Sequence, residues 1–172
     1  MNELIKYKVP FLGLNLGEHI FQFHITKKFF DSMQSLEEID CDLMVNMLLN
    51  KQPLLMTLSF HTQGIIKFDC DLCLDKFDYN LDFKHDLIVK IGNKDTNNDD
   101  FIFISPTEYE IDVSQIIFED IILNIPIRKV HQNDKKGNPS CNKEQLDLLE
   151  KFKNHKTQNS NWDALKDIKF EN

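Results

Sequence analysis

Glycine is scarce in this sequence, with only 5 glycines in 172 residues. A phosphate-binding loop needs glycines at fixed positions, because its backbone approaches the phosphates closely, and neither G-x-G-x-x-G nor G-K-[ST] occurs. The G-x-S-x-G motif of serine hydrolases is absent as well. The sequence thus offers no motif for nucleotide chemistry or for a nucleophilic serine, and we expect a protein that is not an enzyme.

Long apolar runs are also lacking. No stretch approaches the roughly 20 apolar residues that cross a bilayer. Residues 1–8 have neither a continuous apolar region nor a small-residue cleavage site of the kind found in secretory signals. We therefore expect a cytoplasmic protein, in which the 4 cysteines are free, metal-bound or redox-active rather than joined in disulfides.

Positive charge is in deficit, because 20 Lys and Arg stand against 28 Asp and Glu, for a net charge of −8. Sequence-independent binding of nucleic acids depends on Lys and Arg side chains that replace the counterions of the phosphates. Broad binding of naked nucleic acid is therefore not expected. Basic proteins are better electrostatic partners, and ribosomal proteins are the most abundant cytoplasmic proteins of that kind.

Alternation of apolar and polar residues predicts strands in the first two thirds of the chain. We expect a turn at Gln63 and Gly64, and a bend or bulge near His85 in the longest strand. The predicted strands are residues 19–25, 42–52, 54–61, 77–91 and 101–105.

Helices are predicted later in the chain. One begins near Asp112 or Ser114, which can cap it, and is stopped by Pro126. A second, amphipathic helix covers residues 143–152. Strands followed by helices predict an α+β fold: an antiparallel β-sheet with a Cys-x-x-Cys knuckle and C-terminal helices.

Cys70 and Cys73 carry the sharpest chemical signal. Their C-x-x-C spacing lets one tight turn direct two sulfurs at one point, as in zinc sites, and two further nitrogen or sulfur ligands complete a tetrahedron. His131 and Cys141 can supply them, which gives a candidate Cys3His site for zinc. Spacing alone leaves other readings open, namely reduced thiols at a turn or a thiol-redox pair.

Acidic residues on the first predicted helix suggest a surface for solvent or for a partner. Glu119 and Asp120 are its adjacent carboxylates, and acidic groups in that part of a helix interact favourably with its dipole. We predict partner binding by Glu119, Asp120 and, in the C-terminal segment, Trp162.

Three segments in order resemble the YceD family of large ribosomal RNA subunit accumulation proteins. Residues 68–77, FDCDLCLDKF, resemble its central Cys-x-x-Cys-Leu segment. Residues 110–126 resemble its acidic-aliphatic helix with a final Ile-Pro step, and Val130-His131 followed by Cys141 resembles its His and later Cys. The ending at residues 161–165, NWDAL, is similar to the Trp-x-x-Leu ending of one branch.

The resemblance implies a non-enzymatic role in synthesis, processing or accumulation of large-subunit (23S) ribosomal RNA. Its implied partners are a large-subunit precursor particle or a basic large-subunit ribosomal protein. It also implies one YceD-like domain over residues 1–152. The remaining tail, residues 153–172, is polar, and we expect it to become ordered on docking. The alternative function is a metal-dependent or thiol-redox protein that uses the Cys70 and Cys73 pair.

Overall fold

The computed structural model describes residues 3–36, 38–92, 101–132 and 140–154. Its contacts define two compact units: unit 1 is Met1–Asp69 with Lys76–Lys129, and unit 2 is Cys70–Asp75 with Val130–Asn172. The division into a domain of residues 1–152 and a tail of residues 153–172 stays a prediction, because residues 155–172 lie outside the described part.

Unit 1 is built around a five-stranded sheet with the strand order β2-β3-β4-β5-β6, and β1 and β7 form a separate antiparallel pair. The sheet is antiparallel except for its edge strand β6, which lies parallel to β5. The strands are β1 (Lys8–Pro10), β2 (Gly17–Thr26), β3 (Asp40–Lys51), β4 (Leu55–Asp69), β5 (Lys76–Ile91), β6 (Ile102–Ile104) and β7 (Glu110–Asp112).

The helices of unit 1 are a 3-10 helix (Glu3–Tyr7), α1 (Lys27–Ser32) and α2 (Ser114–Asn124), and unit 2 contains α3 (Lys143–Asn154). At the start of α2, Asp112 accepts hydrogen bonds from the backbone N–H and the hydroxyl of Ser114 at 2.9 and 2.6 Å. Helix α2 ends before Ile125, which has an extended backbone, because proline at position 126 disfavours helical backbone at the residue before it. The predicted α+β fold with an antiparallel sheet, a knuckle and C-terminal helices is confirmed. No helix among the described residues has both the length and the apolar composition that a membrane span needs.

The register of the long strands is unbroken. Pairing of β4 with β5 runs from Leu55 opposite Lys90 to Asp69 opposite Lys76 without an offset. Of the bend or bulge predicted near His85, the bulge is therefore wrong. The predicted turn at Gln63 and Gly64 is also wrong, since β4 continues through both residues.

Gly64 is needed where β3 and β4 approach each other. Its φ of 145° is one that residues with side chains rarely adopt, and an added Cβ would collide with the carbonyl oxygen of Asp42 and the Cα of Leu43. The glycine therefore marks a close approach of two backbones within the sheet, rather than a turn.

The core of unit 1 lies on one face of this sheet. Alternate residues of β3 and β4 are buried there together with Tyr7, Phe29 and Phe30 and with Ile117 and Ile121 of α2. Tyr7 and Phe29 pack with ring centroids 4.8 Å apart, and Phe29 and Phe30 meet edge to face at 5.4 Å. Burial of these large apolar side chains supplies the main stabilisation of unit 1.

The opposite face of strands β2 to β5, called the outer face below, carries the exposed side chains of the alternation. Aliphatic residues such as Ile20, which is 73% exposed, stand among charged ones. Carboxylates outnumber lysines: the acidic residues are Glu18, Asp40, Asp42, Asp69, Asp78, Asp82 and Asp86, and the lysines are Lys67, Lys76, Lys84 and Lys90.

Candidate metal centre

The knuckle of unit 2 is a tight turn at Cys70–Asp75. The backbone N–H of Cys70 donates to the carbonyl oxygen of Asp75 at 2.9 Å, and the N–H of Leu74 donates to the carbonyl oxygen of Cys70 at 2.8 Å. Leu74 has a left-handed φ of 63°, a conformation that glycine adopts far more readily than leucine. The turn thus brings Cys70 and Cys73 close together at the expense of local backbone strain.

The other two candidate ligands come from the segment before α3. Cys141 directly precedes Asn142, whose side-chain oxygen accepts the backbone N–H of Glu144 at 3.1 Å and so caps the helix. The carbonyl oxygen of Asn142 accepts the N–H of Leu146. The start of α3 therefore fixes the backbone next to Cys141.

The structure brings all four predicted ligands together. The Cys70 and Cys141 sulfurs are 3.7 Å apart, and Nδ1 of His131 lies 3.5 Å from the Cys73 sulfur and 3.6 Å from the Cys141 sulfur. All four ligand atoms lie within 4.8 Å of one another, close enough to hold one metal ion.

These distances fit the edges of a zinc tetrahedron. With Zn–S bonds of about 2.3 Å and Zn–N bonds of about 2.0 Å, two sulfur ligands lie about 3.8 Å apart, and a sulfur and a nitrogen about 3.5 Å apart. The donor set of three thiols and one imidazole is also one that structural zinc sites use. The four residues therefore fit zinc in both chemistry and spacing.

Burial singles out the cysteines of the cluster. Cys70, Cys73 and Cys141 are buried, and His131 is half-buried. Among the described residues of unit 2, the three cysteines are the buried ones, since the apolar side chains of α3 are half-buried or exposed. The three candidate cysteine ligands thus form the interior of the described part of this unit.

The pKa values of two thiols in the cluster are shifted in opposite directions. Burial disfavours the Cys70 thiolate, but backbone N–H groups of Leu72, Cys73 and His131 and the His131 side chain outweigh it and lower its pKa to about 6. Burial, followed by the nearby sulfurs of Cys70 and Cys73, raises the pKa of Cys141 to about 11. A cation at the centre of the cluster would relieve the repulsion that keeps Cys141 protonated, because metals bind thiolates.

The remaining cysteine, Cys41, lies in β3 of unit 1. Its thiol is 3.7 Å from the carbonyl oxygen of Ile25 and is buried. Burial, with Asp40 and Asp42 nearby, raises its pKa to about 12. A thiol of this kind is unreactive.

The residues predicted to bind a partner differ in their surroundings. Glu119 is exposed and accepts a hydrogen bond from Gln115 at 2.6 Å. Asp120 is buried and lies 2.8 Å from Nδ1 of His85. It therefore does not share the exposed face predicted for the pair, and Trp162 lies outside the described residues. Partner binding by these residues stays a prediction.

His85 is a residue whose role the sequence did not reveal. It lies in β5, stacks on Phe60 with ring centroids 6.4 Å apart, and pairs with Asp120 of α2. Burial raises the pKa of Asp120, and the His85 contact opposes that rise. The pair ties α2 to the sheet within unit 1.

Comparisons with known proteins place the chain in a family. Searches of curated proteins and of solved structures return no match. The family model described as large ribosomal RNA subunit accumulation protein YceD matches residues 58–169, which is well over half of the chain and includes the knuckle, α2 and Cys141. The chain belongs to the YceD family.

Proposed function

We propose that this protein is a cytoplasmic, non-enzymatic factor for the synthesis, processing or accumulation of large-subunit (23S) ribosomal RNA. The observation that carries the proposal is the family match over residues 58–169. In this proposal the protein acts in large-subunit biogenesis by binding a precursor particle or a basic large-subunit ribosomal protein. The net charge of −8 supports a basic protein as the direct contact, because like charges disfavour naked RNA.

Zinc has a structural role in this proposal, held by Cys70, Cys73, His131 and Cys141. Four protein ligands fill a tetrahedral site, whereas catalytic zinc sites keep one position open for water or substrate. Bound zinc would supply cross-linking between the Cys70–Asp75 knuckle and the segment that begins α3. Since the described part of unit 2 buries little besides these ligands, metal binding would provide much of its folding free energy.

The low pKa of Cys70 favours one alternative, a thiol-redox protein that uses Cys70 and Cys73. The geometry of the knuckle argues against it. Redox C-x-x-C pairs place the first cysteine at a helix N-terminus, whereas Cys70–Asp75 is a turn that leads into β5. The three sulfurs and the imidazole nitrogen also lie within 4.8 Å of one another, close enough to hold one metal ion.

Sucrose-gradient sedimentation of extracts from cells with and without the protein tests the ribosomal role. We expect its loss to lower the amount of large subunits and of their RNA, and the wild-type chain to restore both. Unchanged large-subunit particles and RNA in its absence would contradict the proposal.

Elemental analysis of the purified protein tests the metal. We expect about one zinc per chain, which is the content of a single filled tetrahedral site. A zinc content below about half an equivalent, with all cluster thiols open to titration, would count against the Cys3His site and would leave the redox alternative to be tested by thiol–disulfide exchange.

A further inference from the structure

The outer face of the sheet carries negative charge that the chain itself compensates poorly. Elsewhere in unit 1, lysines are paired with carboxylates, as in Lys8 with Glu110 at 2.7 Å and Lys27 with Glu38 at 3.1 Å. On the outer face, the lysine–carboxylate pair found among the described residues joins Lys67 and Asp40 at 3.3 Å. The acidic excess therefore lies on a face that no described element of unit 1 covers.

Two carboxylates on this face are oriented by histidines. Nε2 of His24 lies 2.6 Å from Asp42, and Nε2 of His61 lies 2.9 Å from Asp82. The Asp42 and Asp82 side chains nonetheless stay 82% and 71% exposed. A neutral imidazole that donates its N–H holds the carboxylate in place and leaves its negative charge available to a cation.

Both carboxylates line one open cavity of about 450 Å³. Met44 and Ile65, two partly exposed aliphatic residues, line it with them, and so does Gly64. Carboxylates beside aliphatic groups match a long cationic side chain, which has an apolar stem and a charged head. Arginine fits better than lysine, because its planar guanidinium makes paired hydrogen bonds with carboxylates and is the more weakly hydrated cation.

We propose that the outer face binds an arginine-rich segment of a basic protein, with guanidinium groups at Asp42 and Asp82 and their stems on Met44 and Ile65. This inference rests on the proposed function for the class of partner and names the surface that contacts it. A nucleic acid is the wrong partner for this face, because its phosphates would meet the same carboxylates.

Fluorescence anisotropy with a labelled peptide of alternating arginine and valine, about ten residues long, tests the surface with the full-length protein. The variant Asp42→Asn with Asp82→Asn removes two charges and keeps the shape of both side chains. The matched control, Asp31→Asn with Glu108→Gln, removes the same charge from exposed residues off the outer face.

We expect the outer-face variant to bind the peptide at least about tenfold more weakly than the wild type, and the control to stay within about twofold. A peptide with lysine in place of arginine should bind the wild type more weakly. Equal losses in both variants, or no loss in either, would overturn the inference. The inference would also be overturned if an RNA oligonucleotide displaced the peptide and bound the outer-face variant more tightly than the peptide binds that variant.

Because both aspartates are exposed, we expect their replacement to leave the sheet intact. Circular dichroism of both variants checks this before binding is compared. The outcome is separate from that of the ribosomal role. If the peptide result fails while loss of the protein still lowers large-subunit RNA, the surface is wrong and the proposed function stands.

Discussion

Unit 1 buries aliphatic and aromatic side chains, whereas the described residues of unit 2 bury three cysteines around a half-buried histidine. A core like that of unit 1 is stabilised by removing apolar surface from water, which needs no ligand. A cluster of thiols gains little in this way, and its burial becomes favourable when a metal replaces the protons. The difference suggests that the two units respond to different conditions: unit 1 to changes in packing, unit 2 to metal.

The strongest test of this difference is Cys141→Ser. Serine is a poor zinc ligand, so we expect zinc affinity to fall on the order of a thousandfold, and the amide protons of α3 to lose protection from hydrogen exchange. Elemental analysis and hydrogen exchange measure the two effects. The matched control is the variant Cys41→Ala, whose change lies in unit 1 and which should retain zinc. Loss of zinc from this control, or a full zinc content in Cys141→Ser, would contradict the assignment of Cys141 as a zinc ligand.

A change in packing should affect unit 1 without involving metal. Gly64→Ala introduces a Cβ against the backbone of β3 at a φ that alanine rarely adopts, so we expect the free energy of unfolding to fall by about 2–3 kcal/mol or more. Urea unfolding followed by circular dichroism measures it, with and without a chelator. Gly13→Ala is the control, because nothing lies within 4 Å of its Cβ position; equal effects of the two changes would refute the close approach of the strands.

Backbone strain in the knuckle gives a smaller effect of opposite sign. Leu74→Gly removes a left-handed leucine with φ of 63°, and we expect it to favour the ligand-competent turn by up to about 1 kcal/mol. Competition with a chromogenic chelator would detect this as tighter zinc binding. Weaker binding would indicate that the exposed leucine side chain itself supports the knuckle.

The smallest effect concerns pH and unit 1. Since burial raises the pKa of Asp120 above its ordinary 3.8, the stability that it contributes is fully present below about pH 3.8 and is lost as pH rises through the folded-state pKa. The asparagine in Asp120→Asn does not titrate. The free energy of unfolding of this variant should therefore increase relative to that of the wild type as pH rises through the folded-state pKa of Asp120. Unfolding at a series of pH values measures the difference, with Glu119→Gln as the control of equal charge. A difference that does not change with pH would contradict the prediction.

Local patterns predicted much of this molecule because they act over a few residues. Alternation located β2, β3 and β5, and Pro126 located the end of α2, since a residue before proline disfavours helical backbone. The four candidate ligands could be named from residue type, because few other side chains hold zinc.

Contacts between distant segments were out of reach of such patterns. Glycine favours turns in general, so the sequence predicts a turn at Gly64, and only the neighbouring strand shows why a side chain is excluded in the middle of β4. The adjacent carboxylates Glu119 and Asp120 predict one exposed acidic face, and only the partner His85, 35 residues away, explains the burial of Asp120. The parallel pairing of β6 likewise depends on where a short strand meets the sheet edge.

The inert thiol of Cys41 makes the chain its own reporter of metal occupancy. Because this cysteine is buried with a pKa of about 12, a thiol-labelling reagent at neutral pH would leave it unmodified in the folded protein. Because we expect unit 2 to open when the metal is lost, fast labelling would then come from Cys70, Cys73 and Cys141 of metal-free chains, and its extent would count those chains. Occupancy could thus be followed in a cell extract by mass spectrometry of alkylated protein, without a spectroscopic probe for zinc.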